Sequence, residues 1–496
     1  MTMKVMPSST RAVSFTAALP YPRVVISAAH KSSGKTVTSI GLLASIAETG
    51  VKVQPFKKGP DYIDPMWLAA AANAQCHNLD YFMMGWENVE AVFKRNAAKA
   101  ELSVIEGNKG LFDSIETDGS GSTANLARKL KAPVILVVDA SRITRGIAPL
   151  LLGYKTFEPD TGIAGVILNK VNSARHESKL KAAIEKYSDI PLLGCIRKTA
   201  DMEIMERHLG LIPVKEDARL LPVIENIRRH VSYSLDVEKV IEIARNAPKL
   251  SAYNATAKNV SGRPVNIGVM MDRAFTFYYP ENLEALQNEG ARIVPVNSIN
   301  DSRLPDGLDA LYIGGGFPET LMEELERNEA MRMDVRLAVE NGMPVYAECG
   351  GLMYLGKSIS WNSKTNGNTN GKTRRMAGAL DFDIIVRKKP KGHGYMELEN
   401  TGKSPFVKGS GKIRAHEFHY GEVVGLNHSD FAYNVLRGNG IDGKHDGIVY
   451  KNTLASFAHL HHLGCRNWAK SFVSFAREVS YPESLRTRIT AFEAIK

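Results

Sequence analysis

The chain has 496 residues, 44% of them hydrophobic and 23% charged, and a formal net charge of +10. One hydrophobic core rarely grows that large, so two or more domains are expected. The positive excess is dispersed and no zinc-finger or RNA-recognition signature accompanies it; an anionic small substrate explains the sign as well as nucleic acid does, and charge alone does not decide.

Residues 1–22 include Arg11 but no continuous apolar core, and read as an N-terminal tail rather than a signal peptide. From Arg23, β-rich runs alternate with helix-length amphipathic stretches: "RVVISAA", "VKVQPFK", "LSVIEG", "APVILVVDA", "IAGVILNKV" and "IPLLGCI". This alternation predicts βαβ units and a parallel sheet covered on both faces. None of these runs approaches the roughly 20 apolar residues of a membrane span. A mixed region from Thr199 contains "RHLGLIPVKEDA", and residues 249–264 lack apolar periodicity and read as a linker. A second alternating series, "VNIGVMMD", "ARIVPVN", "LDALYIGGGFP", "MPVYAECGGLMYLG" and finally "GIVYKNTLASFAHLHHLG", predicts a second α/β domain. The expected division is therefore a tail (1–22), a first domain (23–248), a linker (249–264) and a second domain (265–496). Within the second, the polar "SWNSKTNGNTNGKTRR" is expected to be an exposed mobile loop.

The stretch "SSGKT" lies between the first strand and the helical "VTSIGLLASIAETG", the setting of a phosphate-binding loop. There Gly34 and its neighbours offer backbone N–H groups, Lys35 reaches the terminal phosphates of ATP, and the Thr36 hydroxyl ligates Mg²⁺. The outer glycine of the usual pattern is replaced by Ala29. "FKKGPDYIDP" places Lys57, Asp61 and Asp64 after the second strand, where carboxylates serve as metal ligands or substrate orienters. "VIEGNKGLFDS" brings Glu106 and then Asp113 to the end of the third strand, a place for a Mg²⁺-holding acid. "VILNKV" ends a later strand with Asn169, a donor and acceptor for a purine edge. All fall at C-terminal strand ends, where open α/β sheets bind ligands.

The four cysteines (Cys76, Cys195, Cys349 and Cys465) show neither metal spacing nor a disulfide framework, which suits a reducing cytoplasm. "PVYAECGGLMYLG" sets Cys349 between a strand and a Gly-Gly turn into a helix, the pattern of a nucleophile elbow whose helix N-terminus lowers the thiol pKa. Backbone N–H groups of Gly315 and Gly316 in "IGGGFPE", and of Gly350 after the cysteine, can converge on an oxyanion. "LASFAHLHH" supplies His459, His461 and His462; two apart in an extended segment, His459 and His461 share a face. "RAHEFHYGE" adds His416, Glu417 and His419, for substrate contact or core hydrogen bonding. A P-loop switch ATPase, which only hydrolyses its nucleotide, is the rival class, and it leaves Cys349 unexplained.

Taken together, "KKGPDYIDP", "RHLGLIP", "DRAFTFYYPENLEAL", "YIGGGFPE", "YAECGGLMYL" and "HEFHY", in this order, resemble the cobyrinate a,c-diamide synthase family over nearly the whole chain. The resemblance implies a dethiobiotin-synthetase-like P-loop domain followed by a class I glutamine amidotransferase-like domain, whose members commonly lack the outer glycine. It implies ATP- and glutamine-dependent amidation of the a and c acetates of an anionic tetrapyrrole, with ATP as cosubstrate and Mg²⁺ as cofactor. Cys349 then matches the glutaminase nucleophile and His459 its base, while Lys35, Thr36, Lys57, Asp64 and Glu106 match the ATP and Mg²⁺ side. Asp61, Asp113 and His461 are assigned to substrate. His461 stands where more familiar class I enzymes carry a triad glutamate, so the group orienting His459 is open. Asn108, Lys109, Ser114, Trp67 and Leu68 depart from the cobyrinate pattern, and "EGNKGLFDS" and "RHESKL" resemble a siroheme-amidating branch of dissimilatory sulfite reductase systems. The expected setting is cytoplasmic, without membrane or nucleic acid, and a homodimer is admitted as the assembly.

Overall fold

The six β-rich runs of the first half, with the short unannounced strand His77–Leu79, form a seven-stranded parallel sheet: β1 (Arg23–Ala28), β2 (Val53–Lys58), β3 (His77–Leu79), β4 (Leu102–Glu106), β5 (Val134–Asp139), β6 (Ile163–Val171) and β7 (Leu192–Arg197). The structure is a computed structural model and is described for residues 18–199, 202, 204, 206–207, 210–211, 220–253, 262–365, 368–409, 411–427, 430–465 and 467–479. Most of "RHLGLIP" and of the expected tail and linker lie outside these residues. The sheet order is β3-β2-β4-β1-β5-β6-β7. Every residue of β1 is buried, as a central parallel strand covered on both faces requires. The chain reverses its direction of winding beside β1, which opens a crevice at that strand's C-terminal end. Helix α1 (Lys35–Glu48) starts there, and α2 (Ile63–Ala72) follows β2.

The second half contains a ten-stranded mixed sheet. Its parallel part runs β9-β8-β10-β12-β13, where β8 is Val265–Met270, β9 Ala291–Val296, β10 Ala310–Ile313, β12 Val345–Glu348 and β13 Thr453–Ser456. A two-residue strand, β11 (Gly315–Gly316), pairs with Phe275–Phe277 beside it. Antiparallel strands extend the sheet to the two-residue β14 (His459–Leu460) at its far edge. Helix α3 (Pro280–Asn288) covers one face, and the six-residue α4 (Gly350–Leu355) follows β12.

The Asn/Gly-rich stretch expected to be a mobile loop is instead a hairpin. Ser358–Thr365 pairs antiparallel with Asn368–Arg375. A polar, Asn- and Gly-rich composition does not prevent a ladder, because the paired groups are those of the backbone. Lys372 and Arg374 tie the second strand to Glu323 and Glu326. Leu19, from the expected tail, pairs with Leu250 of the expected linker.

The two sheets meet through buried side chains. His77 Nδ1 lies 2.7 Å from Glu281 Oε1, Arg95 pairs with Glu284 at 2.7 Å, and Tyr62 stacks on Phe277 with ring centroids 5.0 Å apart. Among the described residues no helix is long and apolar enough to cross a membrane.

Candidate active site

The first cluster grows from strand register. Lys57 of β2 and Ile26 of β1 both pair with Glu106 of β4, so lysine and acid sit side by side below the loop that leaves β1. Lys57 Nζ bonds Glu106 Oε1 at 2.8 Å and Asp64 Oδ2 at 2.5 Å. Thr36, in the first turn of α1, donates to Glu106 Oε1 at 2.7 Å and Asp64 Oδ2 at 3.4 Å. Burial works against the charge on Lys57, yet Asp64 and Glu106 hold its ammonium above the ordinary range. The Glu106 carboxyl is pushed up, by burial first, despite Lys57 beside it. Burial and the neighbouring Lys57 push the Lys35 ammonium down.

The loop itself keeps its shape through substitutes for the missing glycine. Gly34 has φ 91°, and a Cβ there would lie 2.0 Å from Asn169 Nδ2, so only glycine fits. Ser32 also takes positive φ (64°), and its carbonyl accepts from Lys170 Nζ at 2.9 Å. Tyr154 OH donates to the carbonyl of Ala29. Asn169, read from sequence as a purine contact, donates Nδ2 to Ser33 O at 2.9 Å and thereby braces the loop. Asp61 accepts from the Ile63 and Asp64 N–H groups, and burial, then Asp64, pushes its carboxyl up to about 7. Asp113 Oδ2 accepts from Gly110 N at 2.8 Å.

Beside this cluster a cleft opens between the two halves of the molecule. It is lined by Lys58, Asn108, Lys109, Asp113 and Ser114 from the first half and by Tyr395 from the second. Two aromatic pairs stand in its wall, Phe82 on Tyr395 at 4.4 Å and Tyr81 on Trp86 at 4.8 Å. Arg414 and Arg437 lie over the Phe82 ring. Lys58 forms no ion pair among the described residues, and burial lowers its ammonium to about 8. Asp80, Asp113 and Glu116 line the same cleft as Lys58 and Lys109, so its aromatic walls stand beside charges of both signs.

The second cluster forms at the end of β12. Cys349 has φ 47° and ψ −99°, a strained conformation for a residue with a side chain, as the sharp strand-to-helix turn demands. Its amide bonds Ser456 O at 2.7 Å, and its Sγ lies 3.8 Å from Phe418 O. The Gly315–Gly316 strand runs against the turn: a Cβ on Gly350 would lie 3.0 Å from the Gly316 nitrogen, and one on Gly315 would lie 2.4 Å from His459 Cε1. The expected lowering of the thiol pKa is not what the structure shows. Burial, then Glu319, pushes the Cys349 thiol well up, because α4 is short and desolvation outweighs its dipole. The thiolate therefore has to form together with a protonated base.

The histidines divide. His459 is buried against His416 (4.8 Å) and Tyr62 (5.1 Å), whereas His461, expected to share its face, packs on Tyr279 at 4.9 Å and lies 3.7 Å from Glu281. The strand β14 ends at Leu460, so the two-residue alternation does not extend to His461. His416 accepts or donates at the Tyr279 hydroxyl (2.8 Å), and burial, with His459 next, lowers its pKa well below the usual value. Glu417 accepts from the Asn439 and Gly440 N–H groups, and His419 stacks on Phe457. Asp446, unmarked by any sequence motif, accepts from Phe457 N and Ala458 N and so sets the segment leading to His459. Glu348, also unmarked, lies 3.9 Å from His459 Nδ1. The only signal for it was a carboxylate closing a buried apolar strand.

A model of the CobQ/CobB/MinD/ParA nucleotide binding domain matches residues 24–212, and one of the CobB/CobQ-like glutamine amidotransferase domain matches residues 266–466. The cobyrinate a,c-diamide synthase of Magnetococcus marinus is 45% identical over 469 residues, 93% of this chain and 98% of its own. The enzyme of the same name from Archaeoglobus fulgidus is 41% identical, covering 92% of this chain and 97% of its own. That from Caldanaerobacter subterraneus is 39% identical, covering 92% and 99%.

Proposed function

This chain belongs to the cobyrinate a,c-diamide synthase family, and on that premise we propose that it hydrolyses glutamine at Cys349 and spends ATP to amidate peripheral carboxylates of an anionic tetrapyrrole, cobyrinate first. The observation that carries this reading is the pairing of a phosphate loop and a strained cysteine elbow on two sheets joined at Tyr62. The ATP half occupies residues 23–248 and the glutaminase half 265–496, with 249–264 between them.

In the glutaminase half, Cys349 attacks the side-chain amide of glutamine while His459 takes the thiol proton and returns it to the departing ammonia. The Gly316 and Gly350 N–H groups hold the developing oxyanion. Water then cleaves the thioester and releases glutamate.

In the ATP half, the acceptor carboxylate attacks the γ-phosphate, and Lys35 and Lys57 stabilise the spreading charge. The oxygens fit Mg²⁺: Glu106 Oε2 is buried with no hydrogen-bond partner among the described residues, and Thr36 and Asp64 adjoin the same side chain. Thr36, Asp64 and Glu106 would hold the ion, which when bound neutralises phosphate charge. Ammonia then displaces phosphate from the acyl phosphate and leaves a carboxamide. The cleft beside Lys58 receives the acceptor, with Asp61 and Asp113 between it and the phosphates. His461 serves the contact between the halves.

Siroheme is the second acceptor, because Asn108, Lys109 and Ser114, which depart from the cobyrinate pattern, all line that cleft. Four free, buried cysteines accord with a cytoplasmic setting. Mass spectrometry after incubation with ATP, glutamine and either cobyrinate or siroheme tests the proposal. Amide product from one of them, dependent on both cosubstrates, supports it; ATP hydrolysis without amide from either tetrapyrrole overturns it.

A further inference from the structure

His459 is fully buried, and its Nδ1 has no hydrogen-bond partner among the described residues. A histidine that exchanges a proton at one ring nitrogen needs an acceptor for the proton on the other. That acceptor selects the tautomer, aims the ring and stabilises the imidazolium when it forms. His461, two residues on, does not supply it, since its ring packs on Tyr279 and faces Glu281.

The groups around His459 come from four places. The first half contributes Tyr62, the strand Lys412–His419 contributes His416, β11 contributes Gly315, and β12 contributes Glu348. Tyr62 stays protonated because burial raises its hydroxyl well above the ordinary value, and His416 is engaged with Tyr279. Glu348 is the acid of the set, and its Oε2 lies 3.9 Å from Nδ1 with both side chains 1% exposed.

The carboxylate is fixed from three sides. Oε1 accepts from Tyr346 OH at 2.5 Å and from Leu460 N at 2.9 Å, and Oε2 accepts from Tyr312 OH at 3.0 Å. Leu460 follows His459 directly, so the acid is tied to the strand that carries the histidine. Glu348 also precedes Cys349, so one strand end delivers both the nucleophile and the acid. The remaining gap exceeds a hydrogen bond by about 1 Å. Catalytic hydrogen bonds in unliganded sites are often this loose and tighten when substrate binds.

We infer that Glu348 is the positioning residue for His459: its carboxylate accepts the Nδ1 proton and leaves Nε2 free to serve Cys349. The inference rests on the glutaminase reading of the second half. When Sγ bonds to the amide carbon, the thiol proton passes to Nε2. It leaves with ammonia as the C–N bond breaks, while the Nδ1 proton stays on the ring facing Glu348.

The test compares Glu348→Gln and Glu348→Asp with the wild type in the full chain. Three quantities are read: glutaminase kcat and KM, amidation driven by ammonium salts, and the pH dependence of Cys349 alkylation by iodoacetamide. Glu348→Gln is expected to lower glutaminase kcat by about 10²–10⁴-fold, as loss of an orienting carboxylate does elsewhere, without raising KM for glutamine. Its thiol should become reactive only at higher pH, because the imidazolium partner is no longer stabilised. Ammonia-driven amidation should persist, and Glu348→Asp, which keeps the charge, should recover part of the kcat. Wild-type kcat and alkylation profile in Glu348→Gln, with glutaminase abolished in Cys349→Ala, would overturn the inference and leave the proposed function standing. Loss of ammonia-driven amidation together with glutaminase in both Glu348 variants would assign the residue a purely structural role and overturn it equally. Absence of glutaminase in the wild type would instead remove the reading on which it rests.

Discussion

The ring of Tyr62 lies 5.1 Å from the ring of His459, although one belongs to the ATP-side loop and the other to the far edge of the second sheet. Tyr62 stands between Asp61 and the helix that begins with Ile63 and Asp64, so the segment bearing two acids of the phosphate cluster also forms a wall of the glutaminase site. Phe277, Tyr279 and His416 complete the surroundings of that ring. Tyr62 is thus a direct contact between the segment carrying Asp61 and Asp64 and the ring of His459.

Replacing Tyr62 with Ala is expected to uncouple the halves. Truncating a buried aromatic side chain costs about 3–5 kcal/mol, and here the void would open at the seam rather than inside either core. Glutamine hydrolysed per amide formed should rise, measured by glutamate release against product mass. A ratio identical to the wild type's, in a variant that folds, would refute the coupling role.

Cys349→Ala and Lys35→Ala should separate the half-reactions. The first should lose glutamine-driven amidation by more than about 10⁴-fold while amidation from ammonium salts remains. The second should lose amidation from either donor, since the proposed mechanism has Lys35, the first residue of α1, stabilise the transferred phosphate. Equal loss in both variants with ammonia would contradict two separable sites.

Gly34→Ala should act more severely than its size suggests. The left-handed backbone at φ 91° costs a side-chain-bearing residue about 1–2 kcal/mol, and the new methyl would meet Asn169 at 2.0 Å. Asn169 would have to release Ser33 O, so ATP affinity should fall with glutaminase activity intact. Ala29→Gly, which restores the outer glycine of the usual pattern, should by contrast change ATP affinity little, because Tyr154 and Lys170 already hold the loop.

Strand order along the chain and the elements that carry the chemistry were legible because each is a local signal: a β-rich run followed by Gly, Lys, Asp or Cys at its end. Lys57, Asp64, Glu106 and Thr36 were assigned to one function, and the parallel register brings them into contact. What could not be read is long-range pairing. Glu348 meets His459, Tyr62 meets Phe277 and Tyr395 meets Asp80 across more than a hundred residues each, with no local pattern to announce them. The pairing of 358–365 with 368–375 was missed because polar composition was weighed above the capacity of any backbone to form a ladder. The shift at Cys349 was misjudged because burial, which overrides a short helix dipole, is a property of the folded molecule alone.

Lys58 offers a test by pH. Burial lowers its ammonium to about 8 in the free protein, from an ordinary value of 10.5. Well below pH 8 Lys58 therefore adds its positive charge to the cleft, and above it that charge fades well before an exposed lysine would lose its own. A polycarboxylate acceptor stays ionised across this range, so its affinity should drop as pH rises through about 8. Lys58→Gln should bind weakly at all pH values and lose the transition, because the cation that titrates is gone. Lys58→Arg should bind without the drop, since guanidinium stays charged far beyond this range. Equilibrium binding of the acceptor, followed by its absorbance without ATP or glutamine, isolates the effect from the chemistry at Cys349. Affinity that stays flat across about pH 7–9 in the wild type would show that Lys58 does not face the acceptor's carboxylates.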